Sequence, residues 1–272
     1  MLIHFYRLSN FLYRIKIPLI PKLIYYFQYL LFNCAVPAEV KIGKITTFGY
    51  GGIAVVIHKR AVIGNNCKIY PGAIISAESQ DLKYNGEETR LIIGDKNTIR
   101  EYVTINPGTK GGGGKTLIGD NCLFMISSHV AHDCLVGNNV IIANNVPLGG
   151  HATIEDNVVI GGNSAVQQFT RIGKMAMIGG MTGVLNDVIP YGLSTGNRNS
   201  LQGLNLIGLR RSKFENKEIL GLSEAYKGIF AKKNIMENIS NLNISFKENV
   251  LVKEVIKFIT KDKKRSICTP FS

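Results

Sequence analysis

A branched or bulky apolar residue recurs at every sixth position between Ile118 and Val184, and this period constrains the fold more than any other feature of the sequence. A helix repeats about every 3.6 residues and a strand about every 2, so a strict period of six belongs to a repeat architecture. The positions are Ile118, Phe124, Val130, Val136, Ile142, Leu148, Ile154, Ile160, Val166, Ile172, Ile178 and Val184. The segment is therefore predicted to form a solenoid.

Turn-forming residues follow many of these apolar positions, as Gly137, Asn138 and Asn139 follow Val136. Glycine and asparagine tolerate left-handed backbone conformations, which suits a tight corner after a short strand. Three strands and three corners make a triangular coil of about eighteen residues, whose interior the six-spaced side chains fill. We predict an all-β solenoid, a parallel β-helix of hexapeptide repeats.

The solenoid is predicted to occupy residues 39–198, after a short N-terminal helical segment at residues 1–38. In that segment apolar residues stand at helical spacings, and we predict two short helices with a break at Pro18 and Pro21 between them, the second running from Lys22 to about Asn33.

Residues 199–272 are predicted to form a C-terminal helical domain. The periodicity turns helical from Leu201, and helices are expected over residues 215–230, near 236–242 and over 248–260. Such a cap covers the edge of the last coil, which would otherwise invite pairing with another chain.

Two segments interrupt the repeat and are predicted to leave the coil. The first, residues 78–90, is polar and contains Gln80, Asp81 and Lys83. The second is the glycine run at residues 109–115, which we interpret as a flexible connection because no Walker Lys-Ser/Thr follows it. Loops that leave a rigid scaffold commonly carry function.

The formal net charge of +13 is concentrated towards the two ends of the chain. Such a basic excess indicates acidic partners. No nucleic-acid-binding motif or aromatic stacking pattern accompanies the charge, so we do not expect a nucleic acid partner.

Five cysteines without a Cys-x-x-Cys pair argue against a disulfide framework and favour the cytoplasm. No cleavable signal pattern is present, and the most apolar run, residues 23–36, is too short to span a bilayer. We expect at most a peripheral contact with membranes.

A candidate active site follows from counting along the coil. His132, Gly150 and Gln168 are eighteen residues apart, so one coil of eighteen residues stacks them in successive layers about 4.8 Å apart. His132 precedes Asp133, and an imidazole beside a carboxylate can act as a general base. The backbone N–H of Gly150 can donate to a developing oxyanion, because no side chain obstructs it.

Several short motifs lie between the repeats in a distinctive order. They are QDLKY at residues 80–84, IRE at 99–101, HVAHDC at 129–134, ANN at 143–145, GGH at 149–151, QQF at 167–169, GLN at 203–205 and GLRR at 208–211. In order and spacing, residues 68–272 resemble the UDP-N-acetylglucosamine O-acyltransferases of lipid A biosynthesis.

The resemblance implies a left-handed β-helix, a homotrimer with shared active sites, and no cofactor. The implied reaction transfers an (R)-3-hydroxyacyl group from acyl carrier protein to the 3-hydroxyl of UDP-N-acetylglucosamine, the first step of lipid A biosynthesis. It implies catalytic roles for His132 as base, Asp133 as its orienting partner and Gly150 as oxyanion donor.

The same resemblance assigns substrate contacts. Those to the nucleotide sugar and its diphosphate are implied for Gln80, Asp81, Lys83, His129 and His151. Asn205 is implied to contact the acyl 3-hydroxyl, Arg211 a phosphate or the pantetheine arm, and Gly180 the end of the acyl groove.

Two positions depart from the family pattern. Gln167 stands where the family commonly has histidine before Gln168, and Ile207 where it has glutamate. Glutamine keeps a hydrogen bond but carries no charge. The acceptor therefore stays open between the 3-hydroxy sugar and a 3-amino variant.

Three alternatives remain at this stage. Residues 1–66 resemble the start of serine acetyltransferase-like hexapeptide proteins, which suggests an acetyl-CoA-dependent enzyme. A catalytically inactive trimeric scaffold is the second alternative. The third is a zinc site at His129, His132 and His151, although we expect no metal because the first two stand only three residues apart.

Overall fold

The structure is a computed structural model that describes residues 2–261 and 264–270. Its main body is a stack of triangular coils, each built from three very short strands. The strands are β1 (Lys41–Ile42), β2 (Thr47–Phe48), β3 (Val56–Ile57), β4 (Ala61–Ile63), β5 (Lys68–Ile69), β6 (Ile74–Ile75), β7 (Arg90–Ile93), β8 (Thr98–Ile99), β9 (Thr104–Ile105), β10 (Lys115–Ile118), β11 (Leu123–Phe124), β12 (His129–Val130), β13 (Leu135–Val136), β14 (Ile141–Ile142), β15 (Pro147–Leu148), β16 (Thr153–Ile154), β17 (Val159–Ile160), β18 (Ala165–Val166), β19 (Arg171–Ile172), β20 (Met177–Ile178), β21 (Gly183–Val184), β22 (Gly192–Thr195) and β23 (Ser200–Leu204).

These strands form three sheets, one on each face of the triangle. The first runs β1-β4-β7-β10-β13-β16-β19, the second β2-β5-β8-β11-β14-β17-β20-β22-β23, and the third β3-β6-β9-β12-β15-β18-β21. The coil-to-coil pairs are parallel, and β22 and β23 close the second sheet as an antiparallel pair. The predicted parallel β-helix is confirmed.

The register shows where the chain leaves the coil. Val136 pairs with Ile154, eighteen residues later. Ile63 pairs with Ile93 and Ile93 with Ile118, which are 30 and 25 residues apart. The two polar excursions are therefore inserted into otherwise regular coils, as predicted.

Two buried residues on each side of the triangle, one in the strand and one just before it, fill the interior. All twelve of the six-spaced residues are at most 4% exposed. A second buried series precedes each of them by two positions and holds small side chains, including Cys122, Cys134 and Ala152. The cysteines of the coil are thus packing residues, and all five cysteines of the chain are buried and free of disulfides.

Between Ile118 and Val184 the corners use asparagine, as predicted, but not glycine. The left-handed residue there is the third after each six-spaced residue from Ile118 to Ile178, with φ between 55° and 64°. Three columns result: corner 1 (Asn121, Asn139, Asn157, Met175), corner 2 (Ser127, Asn145, Asn163, Met181) and corner 3 (Asp133, His151, Phe169). The amide of Asn121 donates to that of Asn139 at 2.8 Å, and that of Asn145 to that of Asn163 at 3.1 Å.

Glycine serves close packing between coils instead. A side chain at Gly137 would meet the Asp156 carboxylate at 2.4 Å and the backbone of the next coil at 2.8 Å. Only hydrogen fits there, although the backbone conformation of Gly137 itself is ordinary.

The N-terminal hairpin, residues 2–32, contains α1 (Leu2–Arg14) and α2 (Ile20–Phe32) and packs on the first coils. The hydroxyl of Tyr6 donates to the carbonyl of Val40 at 2.6 Å, and the Arg7 guanidinium to that of Ile42 at 2.6 Å. The second helix begins at Ile20 and not at Lys22, so Pro21 belongs to this helix and not to the predicted break between the two helices. It lies in the first turn, where the missing N–H has no intrahelical partner to lose.

The C-terminal domain contains α3 (Leu206–Arg211), α4 (Asn216–Ile229), α5 (Ile235–Ser240), α6 (Ile244–Glu248) and α7 (Val250–Thr260). The three helices predicted from the sequence correspond to α4, α5 and α7. The prediction of a helical pattern from Leu201 was wrong only over the first residues, because residues 200–204 form β23. Among the described residues, no helix combines the length and apolar character needed to cross a membrane.

Candidate active site

His132 and Asp133 form a hydrogen-bonded pair at corner 3. His132 Nδ1 lies 2.8 Å from Asp133 Oδ2, and the two side chains are 14% and 0% exposed. A carboxylate only accepts hydrogen bonds, so Nδ1 carries the proton and Nε2 keeps its lone pair. The pair is therefore prepared to remove a proton at Nε2.

The glycine run holds the carboxylate of this pair. The backbone N–H of Thr109 donates to Asp133 Oδ1 at 2.8 Å, and the Thr109 hydroxyl donates to Oδ2 at 2.6 Å. A side chain at Gly112 would lie 2.0 Å from the Asp133 carboxyl carbon. The run thus packs against the site and is not the flexible connection that we expected.

Gly150 lies in the layer after His132, as the eighteen-residue spacing predicts. A side-chain carbon at Gly150 would stand 2.7 Å from His132 Nε2, so any larger residue displaces the imidazole. Among residues 2–261 and 264–270, no acceptor takes the backbone N–H of Gly150. This N–H can donate to an atom bound beside Nε2.

His151 extends the cluster into the next layers. Its ring meets the His132 ring edge to face at 5.1 Å and stacks on Phe169 at 4.4 Å. The ammonium of Lys264 lies 4.3 Å from the centre of the Phe169 ring. Burial lowers the pKa of His151, while the nearby Asp133 charge acts in the opposite direction. His151 is therefore neutral near neutral pH and offers hydrogen bonds rather than charge.

His129 lies on β12 of the third sheet, three residues before His132 in the sequence. Its Nδ1 lies 2.7 Å from the hydroxyl of Thr104. Burial, and then the charge of His132, lower the pKa of His129. A second neutral imidazole thus borders the pair.

A metal or a thiol nucleophile could also use this region. Ligand atoms of His132, Asp133 and His151 lie within 4.8 Å of one another, whereas His129 is not among them. The group differs from the zinc set that the sequence suggested, and Asp133 Oδ2 already accepts from His132 and Thr109. Burial raises the pKa of the Cys134 thiol to about 12, so this neighbour is no nucleophile.

The polar excursion at residues 78–90 lies against the glycine run. The backbone N–H of Lys110 donates to Glu87 Oε1 at 3.1 Å. Asp81 and Lys83 line an open cavity of about 450 Å³ together with Thr109. Gln80 is exposed beside them. The charge of Asp81 also acts on His151, so this excursion and corner 3 border one another.

Gln167, Gln168 and Gly180 lie further along the solenoid, and all three are exposed. The backbone carbonyl of Gln168 accepts from Arg265 Nε at 3.0 Å. Gly180 is not a left-handed corner residue, since Met181 holds that position. A side chain at Gly180 would meet only the Gly162 carbonyl at 3.3 Å, so open space surrounds it.

Asn205 and Arg211 are not brought to His132 within one chain. Asn205 caps α3 by accepting from the Gly208 N–H at 3.0 Å, and its amide donates to the carbonyl of Met175 at 3.0 Å. Met175 belongs to corner 1, whereas the His132–Asp133 pair lies at corner 3. Arg211 is exposed in the last turn of α3.

Two family models match the chain. One is described as UDP-N-acetylglucosamine O-acyltransferase, domain 2, and covers residues 187–268. The other is the bacterial transferase hexapeptide, six repeats, and covers residues 115–150.

Similar proteins agree with these matches. An acyl-(acyl-carrier-protein)–UDP-N-acetylglucosamine O-acyltransferase of Sinorhizobium fredii is 45% identical over 217 residues, which cover 79% of this chain and 80% of that protein. The UDP-N-acetylglucosamine acyltransferase structure from Francisella novicida has a TM-score of 0.81 at 32% identity and covers 87% of this chain and 86% of its own. That from Campylobacter jejuni has a TM-score of 0.76 at 36% identity, over 87% and 97%.

The matches span most of the solenoid and the C-terminal domain. They confirm the predicted fold class, a left-handed parallel β-helix with helices at both ends. The chain therefore belongs to the UDP-N-acetylglucosamine O-acyltransferase family.

Proposed function

We propose that this chain transfers an (R)-3-hydroxyacyl group from acyl carrier protein to the 3-hydroxyl of UDP-N-acetylglucosamine, the first step of lipid A biosynthesis. The observation that carries the proposal is the His132–Asp133 pair with the backbone N–H of Gly150 beside it. A base and an oxyanion donor at adjacent positions are what acyl transfer to a hydroxyl requires.

The reaction follows from these positions. His132 Nε2 takes the proton of the sugar 3-hydroxyl, and the oxygen attacks the thioester carbonyl carbon. The Gly150 N–H donates to the resulting oxyanion. The intermediate then expels the thiolate, which takes the proton back from His132. Atoms and charges balance without a cofactor, and Asp133 stabilises the imidazolium throughout.

The nucleotide sugar fits the excursions next to corner 3. Lys83 and Lys110 border the cavity there and can pair with a diphosphate, while Asp81 can accept from sugar hydroxyls. His129 and His151, both with lowered pKa, add neutral donors and acceptors. Gln167 and Gln168 can form hydrogen bonds with the amide group of the acceptor sugar.

The donor is proposed to be acyl carrier protein itself. An acidic carrier complements the C-terminal domain, where basic residues outnumber acidic ones fourteen to seven over residues 200–272. We also propose a cytoplasmic location, which five free, buried thiols support.

We further propose a homotrimer whose active sites lie between subunits. Asn205 contacts corner 1 and Arg211 lies on α3, whereas the His132–Asp133 pair lies at corner 3. A single chain therefore does not bring Asn205 and Arg211 to the pair. A three-fold arrangement brings corner 3 of one copy to corner 1 of the next and completes the site.

Mass spectrometry of the product tests the activity directly. Purified protein is incubated with UDP-N-acetylglucosamine and 3-hydroxyacyl carrier protein, and in parallel with the 3-amino sugar nucleotide and with acetyl-CoA plus serine. A 3-O-acylated nucleotide sugar is expected. Product only in the acetyl-CoA reaction would favour the serine acetyltransferase alternative, and no product in any reaction would favour a scaffold.

The first prediction concerns the base. His132→Ala should lower turnover by about 10²–10⁴, the contribution of a positioned general base. Initial rates measure the loss, and thermal unfolding checks that the coil is intact. A folded variant with more than half of the activity would remove His132 from this role.

The second prediction concerns Thr109, which acts through Asp133. Thr109→Val removes the hydroxyl donor to Oδ2 and should lower kcat about tenfold with KM unchanged, an effect of roughly 1.4 kcal/mol on the barrier. Thr109→Ser, which keeps the hydroxyl, should restore kcat. Thr98→Val on β8 is the matched control. Equal losses in the valine and serine variants would show that the role of Thr109 is packing alone.

The third prediction tests the shared site. His132→Ala and Asn205→Ala chains, each weakly active alone, are co-expressed with different tags, and mixed assemblies are purified. Each mixed trimer, whichever chain is in excess, contains one site in three with both native residues, so activity should return to about a third of that of the unaltered protein. Mixed assemblies as inactive as their parents would place both residues in one subunit's site.

The fourth prediction concerns acyl length. Open space at Gly180 favours long donors of about fourteen carbons, and Gly180→Met fills space that methylenes otherwise occupy, each worth about 0.8 kcal/mol. Rates with donors of about ten and about fourteen carbons are compared in both proteins. The variant should prefer the shorter donor. An unchanged preference in a folded variant would locate the length limit elsewhere.

A further inference from the structure

The outer surface of the N-terminal hairpin is the most apolar exposed region of the described chain. Thirteen of its 29 exposed large apolar side chains lie between Leu8 and Leu31. Neither the nucleotide sugar site nor the proposed acyl groove uses this surface. A folded chain does not expose so large an apolar patch without a binding partner.

The second helix of the hairpin carries apolar residues on two opposite sides. Its inner side buries Pro21, Gln28 and Phe32. Its outer side exposes Leu23, Tyr26, Phe27 and Leu30, which are spaced i, i+3, i+4 and i+7 and therefore form one stripe. The first helix repeats the arrangement.

That first helix buries Leu2 and Tyr6 against the first coils, and Ser9 against the second helix, where its hydroxyl donates to the Pro21 carbonyl at 3.2 Å. Leu8, Phe11 and, just beyond the helix, Ile15 are exposed. The side-chain bonds from Tyr6, Arg7 and Asn10 to the backbone of residues 38–43 fix the inner side in place. The hairpin thus cannot turn its outer stripes inwards.

Basic residues cluster at the turn between the helices. Residues 1–38 contain four Lys and Arg and no Asp or Glu. Arg14, Lys16 and Lys22 are exposed and line an open cavity of about 790 Å³, at which Glu39 is the one acidic residue. Within the described parts of the chain, no carboxylate forms an ion pair with these three cations.

We propose that the outer surface of the N-terminal hairpin binds the surface of membranes that contain anionic phospholipids. The apolar stripes enter the boundary between headgroups and acyl chains, and Arg14, Lys16 and Lys22 pair with lipid phosphates. Three exposed tyrosines, Tyr13, Tyr26 and Tyr29, suit this boundary because their rings are apolar and their hydroxyls polar.

The length of the two helices and the unpaired cations between them favour an anionic membrane surface as the partner. Each helix has thirteen residues and is about 20 Å long, shorter than the roughly 30 Å hydrocarbon core, so the hairpin lies along the surface rather than across it. A second copy of the same surface would bring unpaired cations together, which costs repulsion. Anionic lipid supplies the missing negative charge.

Sedimentation with vesicles tests the proposal with the full chain. Vesicles contain equal parts of phosphatidylglycerol and phosphatidylcholine, or phosphatidylcholine alone. The protein should sediment with the anionic vesicles, and added salt should weaken the binding. Lys16→Glu with Lys22→Glu, and separately Leu23→Asp with Leu30→Asp, should each lower the affinity at least about tenfold.

Matched controls lie far from the hairpin. Lys232→Glu with Lys233→Glu changes two exposed lysines, and Leu220→Asp changes a leucine on α4 that is 67% exposed, between the 65% of Leu23 and the 79% of Leu30. Both controls should bind anionic vesicles within about twofold of the unaltered protein. Acyl transfer with soluble substrates should be unchanged in the two hairpin variants, whose residues lie outside the proposed substrate and carrier sites.

A second readout does not depend on disruptive substitutions. The chain has no tryptophan, so Phe11→Trp and Leu220→Trp each introduce a single tryptophan whose emission can be excited apart from that of the tyrosines. Emission of the first should shift to the blue with anionic vesicles, and that of the second should not.

Three results would overturn the proposal. The first is no sedimentation with anionic vesicles together with an unshifted Phe11→Trp emission. The second is a loss of binding confined to the lysine pair, which would remove the apolar stripes from the interaction. The third is a change of oligomeric state in the Leu23 and Leu30 variant without lipid, which would assign the surface to a second copy or another subunit contact.

Discussion

Parallel hydrogen bonding between coils of eighteen residues is the constraint on which this molecule depends. Most coil strands are two residues long and have no stability of their own, so each exists because the strands before and after it supply its backbone partners. The same register brings residues eighteen apart into contact. Gly150 accordingly meets His132, and Phe169 meets His151.

A buried carboxylate inside such a coil needs donors that the repeat does not provide. Asp133 is fully buried, and an unpaired charge there would strongly oppose folding. Two Thr109 donors and the His132 imidazole satisfy its oxygens. The excursion at residues 109–115 is thus part of the charge's environment, which ties an irregular loop to the regular coil.

The periodicity predicted the coil, its interior and the contact between His132 and Gly150, because all three follow from counting along one register. Adding eighteen to His151 would also have indicated Phe169. The Thr109 contact was missed because an insertion separates it from Asp133 and breaks the count. The short helices α3 and α6 were missed because six and five residues are too few to show a helical period, and β23 because pairing with β22 overrides its weak pattern.

The eighteen-residue register also governs how this architecture can change in evolution. A gain or loss of one residue that stays within the coil shifts every later side chain out of its column, whereas an excursion that leaves the coil, or a gain or loss of a whole coil, keeps all columns aligned. A groove along the axis is therefore lengthened or shortened in steps of about 4.8 Å, one layer at a time. Finer adjustment is left to single positions that face open space, and Gly180 is such a position.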